Sequence, residues 1–243
     1  ARTWAIYNSD RFKSDNYHLC ITTQCQVYKP SLNNNLNIEN AIRETTNMIM
    51  TYNGNPVNAF YHASNGGISA PASESWEMKD YPYFLTKYDF IGVGNNKLNS
   101  FNKNEKSLRN FIFDKNNKYL GTKHYLFRWT KKISSTQIIN LINEQNSSFQ
   151  KDKTIDLKII ERGKSGRVIK LEIRQSGRLE PLILNKDDIR KYLKFLPSNL
   201  FIIDKLNDDF WVFTGGGFGH GVGLSQSGAI EMAKLGFNYE RIL

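Results

Sequence analysis

The stretch from Gly215 to Ala229, Gly-Gly-Gly-Phe-Gly-His-Gly-Val-Gly-Leu-Ser-Gln-Ser-Gly-Ala, holds seven of the chain's 17 glycines around one histidine. It follows an apolar run over 210–213 that is typical of a buried strand. Glycine loses the most conformational entropy on folding, so such a cluster indicates backbone in conformations closed to side chains, or backbone that another group approaches closely. Ser225 or Gln226 would open the helix that follows, and Gly236 would end it.

The predicted unit is therefore a strand, a glycine loop and a helix N-terminus. It gathers His220, Ser225 and Gln226 where backbone N–H groups are free to bind an anion or a polar ligand. Nucleotide binding is disfavoured, because no Gly-Lys-Ser/Thr follows the loop and no βαβ unit with a later acidic residue fits. A second interpretation stays open, in which the loop packs a helix on a sheet and His220 is a buried hydrogen-bonding residue.

The composition describes a basic chain that is large enough to bury a core. Its 243 residues are 40% apolar, and 33 Lys and Arg against 23 Asp and Glu give a net charge of +10. Such a charge favours anionic partners, which include nucleic acid, anionic lipid and the bacterial cell wall. The basic residues are dispersed, without the Lys/Arg block and interleaved aromatics of a nucleic-acid groove, so we expect no nucleic-acid partner.

The ends of the chain predict a fragment of a longer protein. No apolar run approaches the roughly 20 residues of a membrane-spanning helix, and no signal peptide is present. The chain starts at Ala1 rather than methionine, in a segment typical of a helix already under way, and it stops at Leu243 without a terminating signal. We therefore expect any membrane anchor to lie outside this sequence.

The rest of the chain predicts mixed helices and antiparallel hairpins, which is an α+β fold. Ser134 and Gln137 have the spacing of a capping box, which opens a helix to about residue 145. Asn53-Gly54 is typical of a two-residue hairpin turn. The other predicted elements are a helix over 37–50 capped by Asn37, hairpin strands over 49–52 and 57–63, a loop over 94–118, strands over 155–159 and 168–174, and a short helix from 187 or 188 to 193.

The glycine-histidine stretch resembles the C-terminal signature of the SpoIID/LytB domain of bacterial cell-wall proteins, through the thirteen residues 217–229. Further segments are similar to the same family in the same order, so the resemblance runs from end to end. They are Ala-Arg-Thr at 1–3, the cysteine segment 20–28, Tyr-His-Ala-Ser-Asn-Gly-Gly at 61–67, Phe-Arg-Trp at 127–129, and the segments 162–168 and 236–243.

This resemblance implies a wall-binding core and a smaller α+β subdomain. Residues 1–118 and 196–243 would form the two parts of the core, and residues 119–195 the subdomain. The implied function is binding of peptidoglycan glycan strands and their cleavage by lytic transglycosylation, at the cell envelope outside the cytoplasmic membrane. The alternative is a non-catalytic wall-binding module that enhances an N-acetylmuramoyl-L-alanine amidase. The expected protein partners would then be this amidase or other envelope proteins.

The resemblance also nominates site residues. In the sporulation branch of the family, the catalytic glutamate lies on the helix that leads into the Ala-Arg-Thr segment, so the resemblance implies a position upstream of Ala1. No catalytic motif of the family matches Glu39, Glu44, Glu74 or Glu77. The residues expected to bind the glycan are Arg2, Tyr28, His62, Ser64, His220, Ser225 and Gln226.

The two cysteines form a second chemical feature. His18, Cys20 and Cys25 lie within eight residues, a spacing that allows one zinc ion with a fourth position open. Some family members have a histidine before the second cysteine, where this chain has Gln24, a poor zinc ligand. A Cys20–Cys25 disulfide and free thiols are the alternatives. The flanking residues do not match the papain-like signature, so a Cys25 nucleophile is not expected.

Overall fold

The computed structural model describes residues 1–22, 24–26, 35–90, 101, 104–114, 118–145 and 147–243. The chain forms two compact units, Ala1–Phe60 and Tyr61–Leu243. The described residues include several helices and several small, mostly antiparallel sheets, which confirms the predicted α+β class.

The described residues of the first unit include two α-helices, a 3₁₀-helix at Lys13–Asp15 and one short hairpin. Helix α1 spans Arg2–Tyr7 and α2 spans Leu36–Glu44. The predicted cap at Asn37 is wrong by two residues, because the side chain of Asn35 accepts the free N–H groups of the first turn. Helix α2 therefore begins earlier than predicted and also ends earlier, at Glu44 rather than residue 50.

The hairpin of the first unit pairs β1 (Thr51–Tyr52) with β2 (Asn55–Pro56). Asn53 and Gly54 both have positive φ, 49° and 79°, which confirms the predicted turn. The predicted second strand over 57–63 is wrong. The Val57 N–H still donates to the Met50 carbonyl at 3.1 Å, but the Met50 N–H donates to the Thr3 hydroxyl at 3.1 Å, so the ladder ends there. Tyr61–His62 instead form a separate strand, β3, in the second unit.

The helices and strands of the second unit after β3 are α3 (Glu105–Phe113), β4 (Trp129–Ser134), α4 (Ser135–Asn143), β5 (Ile155–Arg162), β6 (Val168–Gln175), β7 (Leu182–Asn185), α5 (Asp187–Tyr192), β8 (Phe201–Lys205), β9 (Phe210–Gly215), β10 (Leu224–Ser225), α6 (Gln226–Lys234) and α7 (Tyr239–Ile242). They form two three-stranded antiparallel sheets, with the strand orders β5-β6-β7 and β4-β9-β8. A parallel pair of two-residue strands, β3 and β10, joins distant parts of the sequence.

The main hydrophobic core of the second unit lies between α4, α5 and the two larger sheets. The sequence signals were accurate here: Ser134 and Gln137 form the predicted capping box, and β5, β6 and α5 fall where predicted. The buried members of this core are Trp129, Ile138, Ile139, Ile142, Phe149, Ile155, Leu157, Val168, Leu171, Ile173, Leu184, Ile189, Leu193, Leu196, Phe201, Trp211 and Phe213.

A second hydrophobic cluster contains a helix that the sequence analysis missed. Residues 94–118 were predicted to be a loop, yet α3 spans Glu105–Phe113 and buries Leu108, Phe111 and Ile112. Their spacing of three and four residues is the helical signal, which the surrounding Asn and Lys obscured. Residues 94–100, 102–103 and 115–117 of that prediction lie outside the described part of the chain.

The predicted division at 118/119 and 195/196 stays a prediction. Strand β4, from the expected subdomain, pairs along its whole length with β9, from the expected second part of the core. Among the described residues, the structure holds no helix that is both long and apolar enough to cross a membrane.

Candidate functional site

The glycine stretch forms the strand, loop and helix N-terminus that its sequence predicts. Strand β9 ends at Gly215, and α6 begins at Gln226 after the short strand β10. The Ser225 hydroxyl accepts a hydrogen bond from the Gly228 N–H at 3.4 Å, so Ser225 is the N-cap of the helix. Gly236, with φ of 88°, follows the last turn as predicted.

Two glycine turns from distant parts of the sequence pack backbone against backbone. Gly66 and Gly217 have φ of 68° and 86°, in the region that favours glycine. A Cβ atom on Gly66 would lie 2.7 Å from the carbonyl carbon of Gly216, and one on Gly217 would lie 2.7 Å from the Ser64 oxygen. Ser64 and Phe218 also exchange both backbone hydrogen bonds, at 3.1 and 2.8 Å. The glycines are therefore required for this contact.

His62 and His220 meet where these turns join. Strand β3 pairs in parallel with β10, and the two imidazole ring centroids lie 5.2 Å apart. His220 donates from Nε2 to the Tyr61 carbonyl at 3.0 Å and accepts the Val222 N–H at Nδ1 at 3.1 Å. A carbonyl only accepts, so these bonds define a neutral ring with its proton on Nε2.

The second histidine has the opposite tautomer. His62 Nδ1 donates to the Val222 carbonyl at 3.1 Å, which leaves Nε2 as an acceptor. That Nε2 atom is buried, in a side chain that is only 5% exposed, and it has no hydrogen-bond partner among the described residues. A buried acceptor of this kind is costly unless something donates to it. The pair therefore contains one buried lone pair that no donor in the described part of the chain satisfies.

Burial and neighbouring positive charge keep both rings neutral. Burial lowers the pKa of His220 from 6.5 to about 3, and the Arg190 and Arg167 charges add to this effect. Burial also lowers the pKa of His62 well below 6.5, with further contributions from His220 and Arg167. Neither ring therefore carries charge at neutral pH.

These two pKa values predict that acid destabilises the second unit. Between the folded and unfolded pKa values a histidine binds more protons when unfolded, so stability falls as pH drops below about 6.5. Each histidine contributes up to about 1.4 kcal/mol per pH unit. We expect the free energy of unfolding, measured by urea titration, to fall by about 2 kcal/mol between roughly pH 6.5 and 5.5.

The control for this pH dependence is His62→Asn, whose amide nitrogen replaces the Nδ1 donor but does not titrate. This variant should lose about half of the pH dependence, whereas Leu179→Ala, at an exposed side chain that does not titrate, should keep all of it. Burial raises the pKa of both Glu74 and Asp89, so these carboxyls oppose the trend at lower pH. An unchanged unfolding free energy across this window would contradict the neutral assignment of the histidines.

Arg167 supports the site from beneath the glycine loop. Its side chain is 1% exposed, and its guanidinium donates to the Asn65 carbonyl at 3.1 Å and to the Ile68 carbonyl at 3.2 Å. Its guanidinium also occupies the space that a side chain at Gly221 would need. Burial lowers the pKa of Arg167 to about 10, although the nearby Glu74 carboxylate favours its charge. Arg167 thus holds the glycine loop and the 65–68 turn in one arrangement.

One buried and one half-buried carboxyl complete the support. Glu74 accepts hydrogen bonds from the hydroxyl and the N–H of Ser165. The Asp89 carboxylate accepts a hydrogen bond from Asn65 Nδ2 at 2.9 Å. Asn65 Oδ1 in turn accepts a hydrogen bond from the Gly67 N–H at 2.8 Å. The sequence analysis missed these residues, although Asn65, Ser165 and Arg167 lie inside segments that carry the family resemblance.

The structure brings together four of the seven predicted site residues. His62, Ser64, His220 and Ser225 lie around the paired turns, as expected. The exposed Gln226 is the first residue of α6. Arg2 belongs to the first unit, where its guanidinium donates to the carbonyls of Thr45 and Met48. Tyr28 lies outside the described residues. The glycan-binding role of all seven stays a prediction.

Cys20 and Cys25 form a disulfide, with their Cα atoms 5.7 Å apart. His18 contacts the Ser9 carbonyl at 2.7 Å through Nδ1. Because a disulfide offers no thiolate, the three residues do not fit a zinc ion in this state. In the part of the chain that is described, no three His, Cys, Asp or Glu side chains are grouped to hold a metal. Zinc binding stays a prediction for the reduced form.

Comparison with known proteins gives matches along the whole chain. The family described as "Domain of unknown function (DUF8618)" matches residues 70–223, and "Stage II sporulation protein" matches residues 1–52. The "Amidase enhancer" of Bacillus subtilis (strain 168) is 24% identical over 269 residues, and an uncharacterized protein of Brachyspira hyodysenteriae (strain ATCC 49526 / WA1) is 26% identical over 251 residues. Both alignments cover 100% of this chain, which spans 35% and 56% of the two relatives.

Proposed function

Since the chain belongs to the SpoIID/LytB family, we propose that it binds peptidoglycan glycan strands. Through residues 70–223 it also belongs to the family described as a domain of unknown function (DUF8618). The SpoIID/LytB family makes it a cell-wall-related protein. The binding site of this proposal is the face formed by the paired glycine turns in the second unit. We further propose that the full-length protein is of the lytic transglycosylase type.

The observation that carries the proposal is the convergence of the two glycine turns beside the His62–His220 pair. A glycan strand is rich in hydroxyl and amide groups, which the polar side chains and backbone groups at these turns would bind. The loop also brings backbone close to the surface, because glycine leaves no side chain in between. A preformed site with few, well-placed polar groups is typical of small-ligand and sugar recognition.

Charge supports the same ligand. The net charge of +10 favours a wall polymer that carries lactyl and peptide carboxylates. Lys123 is exposed on the turn that contacts the glycine loop, and it would provide a cation for such a carboxylate. The Cys20–Cys25 disulfide supports the proposed location outside the cytoplasmic membrane, because that compartment is oxidising.

The chemistry of this proposal needs one carboxylic acid. The acid donates its proton to the leaving glycosidic oxygen as the C1–O bond breaks. The C6 hydroxyl of the same muramyl unit attacks C1, and its proton returns to the carboxylate, which leaves an anhydro sugar without water. The family resemblance implies that this acid lies upstream of Ala1, and within this chain Glu74 and Asp89 are already bonded in the fold.

A second candidate function is favoured by one comparison. The relative named "Amidase enhancer" aligns with the whole of this chain. In this proposal the protein binds the glycan without cleaving it and increases the activity of an N-acetylmuramoyl-L-alanine amidase. The same glycan-binding face would serve both functions, and the upstream acid would decide between them.

Incubation of the full-length protein with peptide-free glycan strands separates the two functions. We expect binding and release of anhydromuramyl products, detected by mass spectrometry, with loss of release but not of binding when the upstream glutamate becomes glutamine. Binding without products, together with faster amidase turnover on intact peptidoglycan, would replace the first function with the second. Failure to bind glycan strands would overturn both.

A further inference from the structure

We propose that His124, Tyr125 and Phe218 form an aromatic platform that stacks against a pyranose ring of the glycan strand. This inference rests on the proposed function and names a binding surface that the sequence analysis did not include. Of the three residues, Phe218 lies within the glycine loop, two positions before His220. The other two come from the turn between residues 121 and 127.

The three rings lie beside one another on the surface. Tyr125 is stacked on His124, with ring centroids 4.8 Å apart and an interplanar angle of 29°. His124 in turn lies 6.3 Å from Phe218, at an angle of 38°. Tyr125 is 77% exposed and Phe218 is 38% exposed. Neither ring is needed to fill the core, in contrast to the buried aromatics Phe111 and Phe127.

The backbone holds this platform rigid. The Gly217 N–H donates to the Leu126 carbonyl at 2.9 Å, which joins the two segments. The Gly121 N–H donates to the Glu231 carboxylate at 2.6 Å, which fixes the start of the turn to helix α6. His124 accepts the Leu126 N–H at Nδ1, at 3.1 Å, so its ring orientation is also set. A rigid platform loses little entropy when a ligand binds.

The chemistry of the platform fits a sugar ring. A pyranose in a glycan strand has an apolar face of C–H groups and a polar rim of hydroxyl and amide groups. Flat aromatic rings bury the apolar face without desolvating the rim. The bond at Nδ1 places the proton of neutral His124 on Nε2, and Lys123 adds a cation beside the platform. Rim amides and carboxylates are the groups that these donors would bind.

The position of the platform defines its role along the strand. Phe218 pairs with Ser64 through two backbone hydrogen bonds, and Ser64 is two residues after His62. The platform is therefore continuous with the His62–His220 pair. A sugar stacked on Tyr125 and a sugar bound at the paired glycine turns would be different units of one strand.

Calorimetric titration of the protein with peptide-free glycan strands tests the platform. We expect Tyr125→Ala to weaken binding roughly tenfold and Tyr125→Phe to change it less than about twofold, because the ring rather than the hydroxyl does the stacking. Phe218→Ala should weaken binding to a similar extent. Leu179→Ala is the control, since this side chain is 93% exposed on the turn between β6 and β7 and should leave binding unchanged.

The outcomes separate this inference from the proposed function. Wild-type protein that binds no glycan would overturn the proposed function itself. Wild-type protein that binds, with Tyr125→Ala and Phe218→Ala binding equally well, would overturn the platform alone. The exposure of Tyr125 makes an unfolded variant unexpected, and an unchanged melting temperature for Tyr125→Ala would confirm that the fold is intact.

Discussion

Gly66→Ala is expected to destabilise the second unit by about 4 kcal/mol or more. Part of this cost is the positive φ of 68°, which a residue with a Cβ atom adopts unfavourably. The larger part is steric, because the new Cβ atom would lie 2.7 and 2.8 Å from the backbone of Gly216 and Gly217. Backbone atoms at the centre of a paired turn cannot move away as the end of a flexible side chain can. Urea titration of the free energy of unfolding measures this loss.

A matched control separates the steric cost from the backbone cost. Gly177 has a similar φ of 79°, and a Cβ atom there would have no atom of the described residues within 4 Å. Gly177→Ala should therefore cost only about 1–2 kcal/mol. Equal losses for Gly66→Ala and Gly177→Ala would contradict the close packing of the two glycine turns.

Arg167→Met is expected to cost about 3 kcal/mol or more, the second largest effect. The substitution keeps an apolar stem of similar length but removes the donors to the Asn65 and Ile68 carbonyls. It also removes the positive charge that favours ionisation of the buried Glu74. Unpaired buried carbonyls and an uncompensated buried carboxyl are both costly.

The control for Arg167 is Arg109, whose guanidinium binds Asp204 at 2.7 Å near the surface. Exposed ion pairs contribute little, so Arg109→Ala should cost at most about 1 kcal/mol. Thermal melting of both variants gives the comparison. An Arg167→Met loss no larger than that of Arg109→Ala would show that the arginine does not hold the two segments together.

Local signals made much of the fold predictable. The Ser134–Gln137 capping box and the Asn53-Gly54 turn depend on neighbouring residues only, and both are where the sequence placed them. The strand, glycine loop and helix N-terminus at the end of the chain were predicted for the same reason. Their geometry is determined by side-chain caps and by positive φ, which short sequence patterns report directly.

Long-range pairing was not predictable in the same way. The residues of β3 and β10 are about 160 positions apart, and only their contact makes either a strand. With two residues each, these strands carry no periodic signal of their own. The prediction of one long strand over 57–63 failed because the sequence near Pro56 does not show which partner β3 will find.

The candidate site was likewise predictable only in part. The resemblance to a known family placed the histidine segments in one site, and the structure brings His62 and His220 together. It did not reveal that Arg167 and Glu74 would be buried beneath them, since isolated charged residues in a basic chain usually lie on the surface. Nor did it indicate Tyr125, whose exposure is visible only in three dimensions.

Hydrogen exchange of the protein with and without peptide-free glycan strands tests the central claim most directly, because it locates the bound glycan on the chain. We expect slower amide exchange in the two glycine turns, residues 61–67 and 215–223, and in the turn over 121–127. In the β5–β6 hairpin, amide exchange should be unchanged in the paired residues 155–159 and 171–175. Protection confined to that hairpin, or no protection at saturating glycan, would contradict a glycan-binding face at His62 and His220.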